Sequence, residues 1–123
     1  MTDRLFSVVD DDDAVRSATD DLLTAVGFTC EVFQSAEAYL QSEAFDRTSC
    51  LILDIRMAGL NGLELQRLLT KQGRAVPIIF TTSFPDDRMR QRAIEGGAIC
   101  YLPKPYSDDE LLGCIRRALE TSQ

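Results

Sequence analysis

The sequence predicts an α/β domain built on a parallel sheet, with helices on both faces. Two observations predict this class: short apolar runs alternate with longer segments of helical periodicity, and a few residues separate each element from the next. Continuous apolar runs are typical of strands buried on both faces, and strand–helix alternation is typical of a parallel sheet. We therefore expect residues 1–123 to form a single doubly wound domain.

Four of the five predicted strands are nearly unbroken apolar runs. The remaining strand alternates apolar and polar residues, which favours a position at the edge of the sheet. In chain order the predicted strands are LFSVV (5–9), TCEVF (29–33), CLILD (50–54), PIIFTT (77–82) and AICYL (98–102), and the alternating strand is the second.

Between the strands, apolar residues recur every three or four positions, as the buried face of a helix requires. Gly27 and Gly73 follow two of these segments and suit the position after a helix end. Ser107 and Glu110 have the spacing of a capping box at the start of the last helix. The five predicted helices run from Asp12 or Asp13 to Gly27, over 36–43 after Ser35, over 62–72, over 86–95, and onward from Ser107.

The composition excludes several classes of function. With 13 Lys and Arg against 20 Asp and Glu, the net charge of -7 argues against nucleic acid or a membrane surface as the partner of this domain. The chain contains no histidine, which excludes Ser-His, Cys-His and histidine–metal mechanisms. No apolar run approaches the roughly 20 residues that span a bilayer, and residues 1–5 are too polar to begin a secretion signal. We expect a cytoplasmic protein.

Four cysteines are scattered along the chain, three of them within apolar segments. They form no C-x-x-C pair, and no histidine is present to complete a zinc site. We therefore expect all four, Cys30, Cys50, Cys100 and Cys114, to be reduced and mostly buried in the core.

Polar residues gather where the predicted strands end. In open parallel sheets, ligands bind beyond the carboxyl ends of the strands, at the point where the strand order reverses. Three carboxylates, hydroxyl groups and an ammonium group are predicted to converge at that edge. They belong to Asp10 and Asp11 after the first strand, Asp54 in the third, Thr81 and Thr82 in the fourth, and Lys104, next to Pro105, after the fifth.

Three clustered carboxylates require a cation to remain ionised together, and their hard oxygen atoms suit Mg²⁺. Of the four consecutive aspartates, Asp10 and Asp11 would serve the metal, and Asp12 or Asp13 would cap the first helix. Simpler interpretations stay open: the aspartates are solvated loop residues, Lys104 forms a salt bridge with them, and Thr82 caps a strand end. Together these groups form a set suited to phosphoryl chemistry.

Four segments in this order, VVDDDDAVR, LILDIRMAGLNG, PIIFTTS and GGAICYLPKPY, resemble the receiver domain of two-component response regulators. The resemblance covers essentially the whole chain and is nearest to the receivers of nitrogen-fixation-type transcriptional regulators. It implies a flavodoxin-like fold with five parallel strands in the order 2-1-3-4-5 and five helices.

The resemblance also implies a set of site residues. Asp54 matches the phosphoacceptor, which takes a phosphoryl group from the phosphohistidine of a sensor histidine kinase. Asp10, Asp11 and Asp54, with the main-chain carbonyl of Arg56, match the ligands of Mg²⁺, for which Mn²⁺ substitutes.

Four further positions match residues of the family. Thr82 and Lys104 match the hydroxyl and ammonium groups that contact the phosphoryl oxygens. Thr82 and Tyr101 match the switch residues, and Pro105 matches a proline that follows a cis peptide bond.

The output implied by the resemblance is a surface made by the fourth helix, the fifth strand and the fifth helix. We expect phosphorylation to favour a homodimer through this surface, and transcription to be controlled through a domain outside this sequence. Arg56 and Phe84 lie two residues after Asp54 and Thr82, at positions that resemble tuning sites for phosphoryl lifetime. Ala58 replaces a usual proline, which predicts a looser loop after Asp54.

Two other functions fit parts of the sequence. Asp11 to Val15 reads D-D-D-A-V, which fits the nucleophile motif of haloacid-dehalogenase-type phosphatases, with Asp11 as nucleophile. That interpretation leaves Asp54 without a role. The other alternative is a receiver-like binding module that is never phosphorylated.

Overall fold

The computed structural model describes residues 4–57 and 59–121. Within them, five strands alternate with six helices. The elements are β1 Leu5–Val9, α1 Asp13–Ala25, β2 Thr29–Phe33, α2 Ala36–Leu40, α3 Ala44–Arg47, β3 Thr48–Asp54, α4 Gly62–Lys71, β4 Ile78–Thr82, α5 Asp87–Glu95, β5 Cys100–Pro103 and α6 Asp108–Thr121.

The five strands form one parallel sheet in the order β2-β1-β3-β4-β5, which confirms the predicted topology. The strand order reverses at β1, which has β2 on one side and β3 on the other. In register, Val9 of β1 lies opposite Leu53 of β3, and Asp54 lies opposite Thr81 of β4. The carboxyl ends of the central strands therefore meet at one edge. The exposed and half-buried residues of β2 fit its position at the border of the sheet.

Alternate residues of the central strands enter two hydrophobic cores, one on each face of the sheet. Val9 and Leu53 belong to the first core, which α2, α3, α4 and α5 cover. Val8 and Ile52 belong to the second, which α1 and α6 cover. Both faces are thus buried, and this is why the strands read as continuous apolar runs.

Side-chain caps fix the starts of the helices. Asp12, rather than Asp13, caps α1 by accepting from the main-chain N–H of Ala14 at 2.8 Å. The predicted capping box is present, since Ser107 N donates to Glu110 Oε1 at 2.9 Å and Glu110 N donates to Ser107 Oγ at 3.0 Å.

The prediction of five helices is wrong by one. The segment predicted as a single helix over 36–43 ends at Leu40, and a separate turn of helix, α3, follows over Ala44–Arg47. A four-residue helix is too short to show apolar periodicity, so the sequence pattern does not reveal it.

The prediction that all four cysteines are reduced is wrong for two of them. Cys100 in β5 and Cys114 in α6 form a disulfide, with their Cα atoms 6.0 Å apart, whereas Cys30 and Cys50 are free. The pairing arises because α6 packs its Cys114 face against the start of β5. Scattered spacing along the chain does not show which helix face meets which strand.

In the part of the chain that the structure describes, no helix combines the length and the apolar character needed to cross a bilayer.

Candidate functional site

The candidate site lies at the carboxyl edge of the sheet, where four strands deliver polar groups. Asp10 follows β1, Asp54 ends β3, Thr82 ends β4 and Lys104 follows β5. Although 94 positions separate Asp10 from Lys104, the Lys104 ammonium donates to Asp10 Oδ2 at 2.8 Å. The parallel sheet brings these groups together because all its strands run in the same direction.

Three carboxylates form the centre of the site. One oxygen each of Asp10, Asp11 and Asp54 lies within 4.8 Å of the others. Asp10 and Asp54 are 1% and 5% exposed, whereas Asp11 is open to solvent. Lys104 Nζ lies 3.5 Å from Asp54 Oδ2, so one ammonium group serves both buried carboxylates. The cluster is closed toward the sheet and open on the side of Asp11.

The four consecutive aspartates have different partners. Asp10 receives a hydrogen bond from Asp12 N at 2.9 Å in addition to that from Lys104, and the Asp12 side chain caps α1. Asp13 pairs with Arg16 on the outer side of α1. Arg16 also donates to the main-chain carbonyl of Asp10 at 2.6 Å, which ties the loop to the helix. Of the four, Asp10 and Asp11 therefore contribute carboxylate oxygens to the cluster with Asp54.

The electrostatics of the cluster shift two ionisation equilibria. Burial, followed by the charge of Asp10, raises the pKa of Asp54 from an ordinary 3.8 to about 6, although Lys104 opposes the shift. Burial lowers the pKa of Lys104, but the hydrogen bond and charge of Asp10, with the charge of Asp54, outweigh it and raise that pKa. Asp54 is therefore an anion at neutral pH that a further cation would stabilise.

The donor set fits Mg²⁺. Carboxylate oxygens are ligands that Mg²⁺ takes, and the ion keeps several waters, which requires an open side. Here, two buried carboxylates are joined by an exposed one, and a depression of about 430 Å³ next to Asp11 is lined by Arg56 and Asn61 among others. The main chain of Arg56 is held beside the cluster, because its N–H donates to Asp54 Oδ1 at 3.3 Å.

The side chains of Arg56 and Phe84, each two residues after a candidate site residue, contact each other. The Arg56 guanidinium carbon lies 5.4 Å from the centre of the Phe84 ring, in a cation–π contact. Phe84 is 63% exposed, and its N–H donates to Thr82 Oγ1 at 3.0 Å. The positions two residues after Asp54 and Thr82 thus contact each other.

Thr82 and Tyr101 lie on neighbouring strands but face different surroundings. Thr82 is fully buried, and its main-chain carbonyl accepts from Lys104 N at 2.7 Å. The Tyr101 hydroxyl contacts the main chain of Asp86, accepting from its N–H at 3.1 Å and donating to its carbonyl at 3.4 Å. The peptide bond between Lys104 and Pro105 is cis.

Comparison with known families decides the identity of this fold and site. A family model described as "Response regulator receiver domain" matches residues 6–116, nearly the whole chain. The chain belongs to this family. The receiver has curated relatives, among them response regulator protein TodT of Pseudomonas putida, which is 40% identical over 122 residues, covering 98% of this chain and 54% of the relative. FixJ of Rhizobium meliloti is 36% identical over 120 residues, covering 98% and 59%.

Solved structures agree with the sequence comparison. The receiver superposes on the crystal structure of FixJ-N with a TM-score of 0.86 and 35% identity, covering 98% of this chain and 96% of that one. It superposes on the response regulator StyR with a TM-score of 0.90 and 39% identity, covering 98% and 61%. The resemblance to receivers of nitrogen-fixation-type regulators is confirmed. The chain spans a little over half the length of the curated relatives it matches.

Sequence reasoning missed two contacts around the receiver's site. One is the Arg16 bond to the Asp10 carbonyl, and the other is the bond from Leu60 N to the Glu37 carboxylate at 2.9 Å. Helical spacing of Arg16 from Asp12 hinted at the first, but nothing in the sequence pattern links Glu37 to residue 60. The prediction about Ala58 concerns a position outside the described residues.

Proposed function

We propose that this receiver, over residues 1–123, accepts a phosphoryl group on Asp54 from the phosphohistidine of a sensor histidine kinase, in a Mg²⁺-dependent reaction. The arrangement of Asp54 carries the proposal. Its buried carboxylate lies 3.5 Å from the Lys104 ammonium and within 4.8 Å of two further carboxylates that suit a divalent cation. An anionic nucleophile with cationic groups around it is what phosphoryl transfer needs.

The chemistry follows from the positions of these groups. An oxygen of Asp54 attacks phosphorus in line, the phosphorus–nitrogen bond to the kinase imidazole breaks, and the imidazole leaves with a proton from solvent. Lys104 pairs with an oxygen of the transferred group, and the Thr82 hydroxyl donates to another. When bound by Asp10, Asp11, Asp54 and the Arg56 carbonyl, Mg²⁺, or Mn²⁺ in its place, would neutralise charge on the phosphoryl oxygens.

Removal of the phosphoryl group, by hydrolysis of the aspartyl phosphate to the free carboxylate and inorganic phosphate, belongs to the same site. Water needs access to phosphorus along the line opposite the Asp54 oxygen. Arg56 and Phe84 contact each other at the positions two residues after Asp54 and Thr82, and we propose that this pair covers the site and sets how readily water enters. The domain thus catalyses its own phosphorylation and dephosphorylation.

The test is incubation of the whole chain with Mg²⁺ and acetyl phosphate, followed by intact mass measurement. We expect one added phosphoryl group, none after Asp54→Asn because an amide is a poor nucleophile, and none in the presence of a chelator. Asp86→Asn is the matched control: it makes the same chemical change at an exposed helix cap, where asparagine caps equally well. Wild-type incorporation in Asp54→Asn would overturn the assignment.

The same experiment separates the two alternatives. A phosphatase with Asp11 as nucleophile would lose turnover in Asp11→Asn and keep it in Asp54→Asn. A receiver-like module that only binds a partner would show no adduct in any variant. The family match and the burial of Asp54 next to Lys104 favour phosphorylation of Asp54.

We propose that Thr82 and Tyr101 carry the signal to a surface made by α5, β5 and α6. Thr82 ends β4 beside the site, and Tyr101 reaches from β5 to the start of α5. The two helices flanking β5 carry opposite charges, which support an isologous dimer of phosphorylated copies. The charges proposed to pair are the exposed Arg88, Arg90 and Arg92 on α5 and the exposed Asp108, Asp109 and Glu110 on α6. The other exposed charges of these helices are Asp87 and Glu95 on α5, and Arg116, Arg117 and Glu120 on α6.

Sedimentation tests this output. We expect a monomer without phosphate and a shift toward dimer with acetyl phosphate or beryllofluoride. A strict monomer at tens of micromolar would instead assign the surface to a different partner. FixJ and TdiR are named transcriptional regulatory proteins, and we propose that this receiver likewise controls transcription, in the cytoplasm, through a domain outside this sequence.

A further inference from the structure

The loop between β3 and α4 is described over residues 55–57 and 59–61, and four of these residues line the depression next to Asp11. Both of its ends are tied down. Gly62 N donates to the carbonyl of Ile55 at 2.9 Å, and Asn61 forms a capping box with Glu64. A Cβ atom at Gly62 would lie 2.6 Å from the Asp54 carbonyl oxygen, so α4 starts in close contact with the end of β3. Gly59 and Leu60 lie between these fixed ends.

A side chain from another element contacts this loop. Glu37, in the first turn of α2, accepts a hydrogen bond from Leu60 N through Oε2 at 2.9 Å, across 23 positions of sequence. That bond, and a second from the main-chain N–H of Glu37 itself, lower the pKa of Glu37. The carboxylate is therefore charged at neutral pH, and a charged acceptor makes the stronger hydrogen bond.

Gly59, next to Leu60, lies in close contact with the Glu37 carboxylate. A Cβ atom there would lie 2.7 Å from Glu37 Oε2, so any other residue at this position would displace the Glu37 carboxylate. Gly59 also has a φ of 79°, a conformation that favours glycine. The loop thus brings its bare backbone against the carboxylate over two successive residues, Gly59 and Leu60.

The helix that carries Glu37 is itself firmly held. Ala36 and Tyr39 on either side of it are fully buried, and the Tyr39 hydroxyl donates to Thr48 Oγ1 at 2.8 Å. Ser35 caps the helix by accepting from Ala38 N at 3.0 Å. Glu37 therefore extends from a well-held helix to the main chain of Leu60.

We infer that Glu37 is a positioning residue, which holds Gly59 and Leu60 in place and thereby favours presentation of the Arg56 carbonyl to a divalent cation. The inference rests on the proposed function, since it assumes a cation bound by Asp10, Asp11 and Asp54. A loop held in advance does not have to be ordered when the cation binds, so the contact raises affinity by lowering that entropic cost.

The test is calorimetric titration of the whole chain with Mg²⁺ alone, in the absence of a phosphodonor. Glu37→Ala is expected to weaken Mg²⁺ binding roughly three- to tenfold, the range that loss of one solvent-exposed hydrogen bond supports. Glu37→Gln keeps an acceptor for Leu60 N and should lie within about twofold of the wild type. At saturating Mg²⁺, the rate of phosphorylation by acetyl phosphate should be near wild type for both variants, because the loop is then ordered by the cation.

Two further variants give the test its controls. Glu31→Ala removes the same charge and a 2.9 Å contact with Arg47, far from the loop, and should leave Mg²⁺ affinity unchanged. Gly59→Ala places a methyl group against the carboxylate and should weaken binding. The double variant with Glu37→Ala should lose less Mg²⁺ affinity than the product of the fold-losses of the two single variants, because both changes act on the same contact.

Three outcomes would overturn the inference. The first is a Mg²⁺ affinity of Glu37→Ala within about 1.5-fold of wild type, which would show that the Glu37 contact does not affect cation binding. The second is an equal loss in Glu31→Ala, which would show a general effect of charge. The third is a lower phosphorylation rate at saturating Mg²⁺ together with a lower unfolding temperature, which would show a merely structural role. If the wild type itself bound no Mg²⁺, the proposed function would fail first.

Discussion

The buried charge of Asp54 should make the metal-free domain less stable at neutral pH than it is in mild acid. Asp54 is 5% exposed and its pKa is raised to about 6, against an ordinary 3.8. Because the folded protein favours the protonated carboxyl, this group's stabilising contribution is fully present below about pH 4 and is lost as the pH rises through about 6. Asp54→Asn removes the ionisation and should therefore stabilise the protein above pH 6.

The magnitude follows from the pKa. The rise from 3.8 to about 6 corresponds to about 3 kcal/mol at pH 7, an upper limit because the amide gives Lys104 a weaker partner than the carboxylate does. Asp10 remains 2.8 Å from Lys104 and keeps most of that pairing. We expect Asp54→Asn to be more stable than wild type by about 1–3 kcal/mol at pH 7, and by little at pH 4.

Urea unfolding followed by circular dichroism measures this difference, since the chain has no tryptophan for fluorescence. The titration runs from pH 4 to pH 8 in chelator, with wild type, Asp54→Asn and the exposed control Asp86→Asn. Carboxylates remote from the cluster titrate alike in each protein, so the difference between curves reports the charge of Asp54 together with its coupling to the cluster. Added Mg²⁺ should shrink the difference by stabilising the wild type.

Two results would refute this reasoning. A stability difference that is the same at pH 4 and pH 7 would show that Asp54 does not titrate differently in the folded protein. A variant less stable than wild type at pH 7 would show that the salt bridge to Lys104 outweighs the burial of Asp54.

Three further variants probe separate parts of the molecule. Asp11→Ala should leave the fold intact, because Asp11 is exposed, but should weaken Mg²⁺ binding by about tenfold or more; an unchanged Mg²⁺ titration would misplace the site. Tyr39→Phe should cost about 1 kcal/mol of unfolding free energy through loss of the buried bond to Thr48, with phosphoryl uptake unaffected; equal urea midpoints would contradict this. Arg92→Glu should weaken dimerisation of the phosphorylated protein without lowering phosphoryl uptake, as sedimentation and intact mass would show; unchanged dimerisation would remove α5 from the interface.

The elements were predictable because their signals are local. A strand buried on both faces must be apolar throughout, which is why β1 was predicted with the bounds observed, Leu5–Val9. The alternation of apolar and polar residues in β2 gave its observed bounds, Thr29–Phe33, and its place at the edge of the sheet. The start of α6 followed from the chemistry of its cap at Ser107. The short helix α3 was missed because four residues hold no repeating pattern.

The candidate site was predictable as a set of residues, because strands that run in parallel end at the same edge. What the sequence could not show is how each residue is partnered there. Only the packing of β1 against β3 puts Asp10 beside Asp54 and raises the pKa of Asp54 to about 6. The different partners of Asp12 and Asp13 likewise depend on the direction in which α1 leaves the loop.

The order of the strands, the polar residues at their ends and the family resemblance were all readable from local sequence patterns. The contacts of Lys104 with Asp10, of Glu37 with Leu60 and of Cys100 with Cys114 became known from the folded chain alone. Each of these contacts joins segments far apart in the chain, and their distances depend on how whole elements pack rather than on any local pattern.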